Sequence, residues 1–125
     1  KKLTLANPKT APYGNAALIT LRNLRIWALD QRKLVIGENV SQTTQFALTG
    51  SVDIAFIPVS HSLITKVNKK GLCLIVPEHL HPPIIQKMVL THEASSTAKL
   101  FYEFMSSPAA QNILIKYGYS LPSNG

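Results

Sequence analysis

The stretch Leu34-Val35-Ile36-Gly37-Glu38-Asn39-Val40 decides the fold, because it joins a buried strand to a helix over a few residues. Leu34 to Ile36 form an apolar, partly β-branched run, which is typical of a strand covered on both faces of a parallel sheet. Gly37 ends this strand, and Asn39 is a good N-cap for a helix that Gly50 then stops. The stretch therefore predicts an α/β fold with helices packed on a parallel sheet.

The same alternation of strand and helix recurs on both sides of this stretch. The predicted order is strand, helix, strand, helix, strand, helix, strand, which requires right-handed crossovers. After a proline-rich segment, an extended apolar run and two further helices follow. The predicted elements are strands at residues 3–6, 34–36, 52–59, 72–76 and 84–90, and helices at residues 10–27, 40–48, 61–70, 95–106 and 107–118.

Composition limits the classes of protein to which the chain can belong. It has 125 residues, of which 46% are hydrophobic, and no apolar run approaches the ~20 residues that span a membrane. We therefore expect a globular domain. Lys1 and Lys2 lead directly into a strand without a signal sequence, which predicts either a cytosolic chain or the mature or shortened form of an exported one.

The net charge of +7 leaves nucleic acid, an anionic membrane surface and small oxyanions as candidate partners. Proteins that bind nucleic acid usually concentrate their basic residues in a stripe with aromatic residues between them. Here the basic residues are scattered among apolar ones, as on the solvent-facing side of amphipathic helices. We therefore predict no nucleic-acid partner.

Residues that usually catalyse reactions or bind metals are sparse. His79 and His81 form the only close histidine pair, and no cysteine or carboxylate cluster completes a zinc ligand set. Cys73 stands in an apolar, strand-like run, which predicts that it behaves as a small hydrophobic residue rather than as a nucleophile. We expect Glu38 and Asp53 to be the inward-facing carboxylates, but they are not spaced as an acid–base pair. The sequence predicts neither an enzyme nor a metal site.

Two predicted strand-to-helix junctions carry more functional information, at residues 7–14 and 37–42. Each places backbone N–H groups at a helix N-terminus, at the carboxyl end of a parallel strand, where open α/β sheets bind ligands. Several such donors and two helix dipoles can hold a desolvated anion without a cationic side chain. Because every β–α unit has such an end, spacing alone leaves anion binding open.

Five motifs form a set along the chain. They are Ala-Asn-Pro-Lys-Thr-Ala-Pro-Tyr-Gly at residues 6–14, Gly-Glu-Asn-Val-Ser-Gln-Thr at 37–43, Ala-Phe-Ile-Pro-Val-Ser at 55–60, Ser-Pro-Ala-Ala at 107–110 and Lys-Tyr-Gly-Tyr at 116–119. Together they resemble the periplasmic molybdate-binding proteins of ABC importers. The resemblance implies a type II periplasmic-binding-protein lobe, an α/β fold with a mostly parallel sheet. It also implies molybdate or tungstate as the ligand, no further cofactor, a periplasmic location and an ABC permease as partner.

The resemblance further implies roles for single residues. In that family the anion is held by hydrogen bonds alone, and the positions of Tyr13 and Val40 donate backbone N–H groups to it. Some relatives add a tyrosine hydroxyl at the position of Pro58, which a proline cannot replace. The implied supporting residues lie at the two helix ends and after the third strand, and they are Thr10, Pro12, Asn39, Ser41 and Pro58.

The resemblance also divides the chain into two parts. Residues 1–80 correspond to the oxyanion-binding lobe, and residues 81–125 to a crossing segment with helices that pack on an N-terminal lobe in the family. That lobe carries serine or threonine ligands and precedes the position of Lys1, so we expect a fragment or half-protein. Apolar residues such as Phe101 and Ile113 would then be exposed, which predicts a homodimer or an oligomer that exchanges its C-terminal segments.

Two other functions fit the predicted fold or charge. The effector-binding domain of a transcription regulator shares this fold and senses a small organic ligand in the cytosol. An interaction module would instead use the charge of +7 on an acidic partner, with a steep dependence of binding on salt.

Overall fold

The computed structural model describes residues 1–27, 31–65 and 67–121, and the chain divides into two compact units between Ile84 and Ile85. The predicted division after residue 80 falls close to this boundary. The first unit contains strands β1 (Leu3–Ala6), β2 (Leu34–Gly37) and β3 (Ile54–Ala55), helices α1 (Pro12–Asn23), α2 (Val40–Thr49) and α3 (Val59–Thr65), and short 3-10 turns at Gln31–Lys33, Val67–Lys69 and Glu78–Leu80. The second unit contains α4 (Ser96–Phe104) and α5 (Pro108–Lys116).

The three strands form a parallel sheet in the order β2-β1-β3, with β1 in the centre. On one side of β1, Leu3 pairs with Leu34 and Ala6 with Gly37. On the other side, Leu3 pairs with Ile54. Parallel neighbours need a crossover, and α1 and α2 supply the two that this order requires. The prediction of a parallel α/β sheet is confirmed.

The core of the first unit lies between β1 and α1. Leu5 is completely buried, and Ala17 and Leu21 pack against it from the helix. Thr4 is equally buried, and its hydroxyl donates to the carbonyl oxygen of Val35 at 2.7 Å, so no polar atom of this side chain is left unsatisfied. Dense packing of this kind fixes the position of α1 relative to the end of β1.

The first helix ends earlier than its apolar spacing predicts. It stops at Asn23 rather than near Trp27, because Arg25 takes a left-handed conformation with φ of 58° that turns the chain out of the helix. The backbone N–H groups of Ile26 and Trp27 then both donate to the carbonyl oxygen of Leu21. Trp27 therefore packs on the core from this turn and not from the helix.

The third strand is shorter than predicted. Only Ile54–Ala55 pair within the sheet, although the N–H of Phe56 still donates to Thr4 O at 2.9 Å. Pro58 has no N–H to continue the ladder, and Val59 already begins α3. The predicted helix at residues 61–70 is likewise divided into α3 and a 3-10 turn, and Lys66 lies outside the described residues.

The strands predicted at residues 72–76 and 84–90 are wrong. Neither segment pairs with a strand in the described part of the chain, and Leu72 and Val89 are 86% and 83% exposed. Apolar composition favours a strand, but a strand forms only where a neighbouring strand completes its hydrogen bonds. Cys73 belongs to the first of these segments and is exposed, so the strand that the sequence predicted around it is absent. Glu38 and Asp53 are also exposed rather than inward-facing.

The two helices of the second unit are close to those predicted. Ser95 and Ser107 cap them by accepting hydrogen bonds from the N–H groups of Ala98 and Ala110. Gly118 follows α5 with a φ of 84°, in agreement with its predicted role as a stop. No helix in the described parts of the chain has the length and apolar character that crossing a membrane requires.

Candidate functional site

The carboxyl ends of the three parallel strands lie at one edge of the sheet, and the two junctions singled out in the sequence are neighbours there. Ala6 and Gly37, the last residues of β1 and β2, are paired in register. One residue further, the N–H of Asn7 donates to the carbonyl oxygen of Gly37 at 2.8 Å. This bond ties the start of the β1–α1 turn to the start of the β2–α2 turn. The N-termini of α1 and α2 therefore belong to the same edge of the sheet.

Asn7 organises the β1–α1 turn. Its side-chain oxygen accepts from the N–H of Lys9 at 3.0 Å, and its carbonyl oxygen accepts from Thr10 and Ala11 at 3.2 and 2.8 Å. Thr10 is exposed in this turn and does not cap the helix, so this predicted role is wrong. The N-cap is Ala11, and Pro12 follows as the first helical residue, where its missing N–H costs no helix bond.

Gly14 allows the first turn of α1 to approach the end of β1 closely. A Cβ atom at this position would lie 2.0 Å from the carbonyl oxygen of Ala6 and 2.6 Å from its carbonyl carbon. Tyr13, the predicted donor, is the second residue of the helix and is half-buried. The N–H groups of a first helical turn point away from the helix body. The turn that holds Tyr13 therefore lies directly beside the carboxyl end of β1.

The β2–α2 junction is closed by two reciprocal hydrogen bonds. Asn39 accepts from the N–H of Gln42 at 2.9 Å, and the side-chain oxygen of Gln42 accepts from the N–H of Glu38 at 2.7 Å. This pair resembles a capping box and confirms Asn39 as the N-cap. The N–H groups of Val40 and Ser41, the first two helical residues, have no acceptor within the described residues. They are two donors at the edge of the sheet.

Gly37 has the same steric role at this junction as Gly14 has at the other. A Cβ atom there would lie 2.4 Å from the Thr43 hydroxyl oxygen and 3.1 Å from the Thr43 backbone nitrogen. Thr43 is completely buried, and its hydroxyl donates to the carbonyl oxygen of Asn39 at 2.9 Å. The first turn of α2 is therefore held against the end of β2.

Pro58 occupies the third junction, between β3 and α3. It is buried, and its carbonyl oxygen accepts from the N–H groups of His61 and Ser62 at 3.0 and 3.2 Å. A proline has neither an N–H nor a hydroxyl to offer a ligand. Its contribution to this edge of the sheet is to start α3.

The site is suited to binding by dipoles rather than by charged side chains. Lys9 and Glu38 are the charged residues of the two junctions, they are of opposite sign, and both are exposed. Among the described residues, no three histidine, cysteine, aspartate or glutamate side chains come together as metal ligands. The groups that this edge presents are backbone N–H donors at two helix N-termini, and such donors stabilise an anion.

A sequence model described as bacterial extracellular solute-binding protein matches residues 1–120. The chain belongs to this family. It is 37% identical over 119 residues to the molybdate-binding protein ModA of Rhodobacter capsulatus and 33% identical over 123 residues to that of Azotobacter vinelandii. It is also 27% identical over 122 residues to the putative ABC transporter substrate-binding lipoprotein YvgL of Bacillus subtilis. The predicted resemblance to molybdate-binding proteins is thereby confirmed.

The fold agrees with these sequence matches. The periplasmic molybdate-binding protein of A. vinelandii superposes with a TM-score of 0.86 at 27% identity, over 98% of this chain and 55% of that one. The sequence matches cover 94%, 97% and 96% of this chain but 46%, 49% and 46% of the R. capsulatus, A. vinelandii and B. subtilis proteins. The chain thus spans about half the length of these relatives.

Several residues at this edge have roles that the sequence did not indicate. Gln42 completes the cap of α2, and the spacing Asn-x-x-Gln was a signal that could have predicted it. The need for glycine at position 14 could not be predicted from the sequence, because it depends on the short distance between α1 and the end of β1. No local pattern predicts the contact between the Thr44 hydroxyl and the His61 ring at 2.9 Å, because these residues belong to different helices.

Proposed function

We propose that this chain is the part of a molybdate-binding receptor that donates the backbone N–H groups of Tyr13 and Val40 to a tetrahedral oxyanion, molybdate or tungstate. The complete receptor acts outside the cytoplasm and delivers the anion to the permease of an ABC importer. It binds its ligand and performs no chemistry on it. Asn39 and Ser41 shape the α2 end of the site, and Pro12 begins the helix at the α1 end.

The observation that carries this proposal is the pairing of two helix N-termini at one edge of the sheet. The hydrogen bond from Asn7 to Gly37 holds the two junctions together, and both first turns are seated by a glycine against a strand end. Two relatives that are molybdate-binding proteins support molybdate as the ligand. The B. subtilis relative is a putative ABC transporter substrate-binding lipoprotein, which supports delivery of the ligand to an ABC importer. A cytosolic regulator is not favoured by any of these relatives.

The donor chemistry explains how such a site selects its ligand. Backbone N–H groups carry partial positive charge in fixed positions, so they favour an anion of matching size without supplying a proton or a metal bond. The opposite charges of Lys9 and Glu38 add little net charge at this edge. We therefore expect affinity to follow the size and charge of the oxyanion, with molybdate and tungstate bound alike.

Val40→Pro tests the proposal by removing one donor atom and little else. Val40 is the first residue of α2, where proline is well tolerated because the N–H has no helical partner. Asn39 has φ of −149° and ψ of 175°, the extended conformation that a following proline requires. A hydrogen bond to an ion contributes about 1.5–3 kcal/mol. Loss of this donor should weaken molybdate binding roughly tenfold to a hundredfold.

Ser96→Pro is the matched control, since Ser96 is the first residue of α4 and follows an extended N-cap in the second unit. Both variants should keep the circular dichroism and unfolding midpoint of the wild type. Isothermal titration with molybdate, and with sulfate and phosphate for comparison, should show weaker binding for Val40→Pro alone. Equal molybdate affinity in Val40→Pro and wild type, or no saturable binding by the folded wild type, would refute the proposal.

A further inference from the structure

The Thr44 hydroxyl connects two of the three junctions at the edge of the sheet. Its oxygen lies 2.7 Å from the carbonyl oxygen of Val40 and 2.9 Å from Nδ1 of His61. Thr44 is 2% exposed, so this oxygen is shielded from solvent and its bonds are made within the protein. His61 in turn belongs to α3, and its backbone N–H donates to Pro58 O at 3.0 Å. A continuous chain of contacts therefore leads from the β3–α3 junction to the first turn of α2.

The distances determine where the protons lie. A hydroxyl and a carbonyl oxygen repel each other at 2.7 Å unless a proton lies between them, and only the hydroxyl of Thr44 can supply it. With that single proton directed to Val40, the Thr44 oxygen can only accept from His61. Nδ1 of His61 must then be the atom that donates.

We infer that His61 carries a proton on Nδ1 and is a positioning residue for the first turn of α2. By donating to Thr44 it keeps the threonine proton directed at the Val40 carbonyl. This carbonyl shares its peptide group with the Ser41 N–H, so the contact fixes the Ser41 donor directly and the Val40 donor through the adjacent peptide group. The importance of this for ligand binding rests on the proposed oxyanion function. The position of the His61 proton and its effect on α2 do not depend on the proposed oxyanion function.

Two substitutions of His61 distinguish the effect of losing its Nδ1 donor from the effect of changing its side-chain size. In His61→Asn the side-chain amide is attached where Nδ1 is attached in histidine, so it keeps a donor near the Thr44 oxygen. In His61→Gln the amide corresponds to Nε2 and leaves the Nδ1 position without a donor. The two side chains are similar in polarity, and His61 is only half-buried, so both variants should fold. Thr44→Val removes the hydroxyl with little change in shape.

The ligand-free chain provides the first readout. The ¹⁵N chemical shifts of the His61 ring at neutral pH should identify Nδ1 as the protonated nitrogen. The amide resonances of Val40 and Ser41 should move in His61→Gln and stay near their wild-type positions in His61→Asn. In the Thr44→Val background, adding His61→Gln should cause no further change in these resonances. A ring protonated on Nε2 alone, or equal amide shifts in the Asn and Gln variants, would overturn the inference.

Titration with molybdate gives the second readout. His61→Gln should bind about fivefold more weakly than His61→Asn, the effect of one ordinary hydrogen bond. Equal affinities in the two variants would overturn the positioning role. If the wild-type chain binds no molybdate, the proposed function fails, and the ligand-free resonances of Val40 and Ser41 still decide whether His61 positions α2.

Discussion

Replacing Gly14 by alanine should disturb both the stability of the first unit and the geometry of the oxyanion site. The added Cβ would lie 2.0 Å from the carbonyl oxygen of Ala6, 2.6 Å from its carbonyl carbon and 3.1 Å from that of Asn7. The favourable separation between non-bonded heavy atoms is about 3.5 Å or more. The first turn of α1 must therefore retreat from β1 by roughly 1.5 Å.

Two opposing effects set the size of the change. Overpacking costs about 1–3 kcal/mol, and this case lies at the upper end because the atoms in the way belong to the backbone and cannot rotate aside. Alanine recovers about 0.5–1 kcal/mol, since glycine is the poorer helix former. We expect Gly14→Ala to lower the free energy of unfolding by about 2 kcal/mol or more. The retreat of α1 should also weaken molybdate binding.

Gly71→Ala is the control, because no atom lies within 4 Å of the Cβ that it would add. Its effect on the free energy of unfolding should stay within about 0.5 kcal/mol. Urea unfolding followed by far-UV circular dichroism measures both variants, and an unchanged slope with urea shows that the midpoints can be compared. Equal unfolding midpoints for Gly14→Ala and Gly71→Ala would refute the close packing of Gly14 on the end of β1.

Further predictions concern the helix ends and the second unit. Asn39→Ala removes the cap of α2 and should cost about 1 kcal/mol of stability together with a loss of molybdate affinity. Ser107→Ala should cost a similar amount at α5 and leave the affinity unchanged; identical affinities in both variants would contradict the proposed site. Gly50→Ala should cost about 1 kcal/mol in urea unfolding, because Gly50 has φ of 72°, and a neutral result would count against this conformation. Phe101→Ser should reduce self-association in sedimentation experiments, because Phe101 is 63% exposed beside Phe104; an unchanged sedimentation profile would argue against this face.

Local signals predicted the part of the fold that depends on neighbouring residues. The run Leu34 to Ile36, the cap Asn39 and the stop at Gly50 each act within a few positions, and the structure contains β2 and α2 accordingly. Tyr13 and Val40, the predicted donors, lie in the first turns of α1 and α2, and their role in binding stays a prediction.

Contacts between distant parts of the chain were not predictable in this way. Apolar composition at residues 72–76 indicated a strand, but it could not supply a paired neighbour. Thr10 has the chemistry of a cap, yet Asn7 closes the turn first and the helix begins after Ala11. The bond between Thr44 and His61 joins two helices, so only the folded structure brings these residues together.

We propose that the first turns of α1 and α2 bind a tetrahedral oxyanion through their backbone N–H groups. The most direct test is an ¹H–¹⁵N NMR titration of the chain with molybdate. The amides of Tyr13, Val40 and Ser41 should shift saturably and share one dissociation constant, while the amides of Ser96 and Thr97, at the start of α4, should stay in place. Equal shifts at both sets of amides, or no shift of the Val40 and Ser41 amides at millimolar molybdate, would contradict binding by these two helix ends.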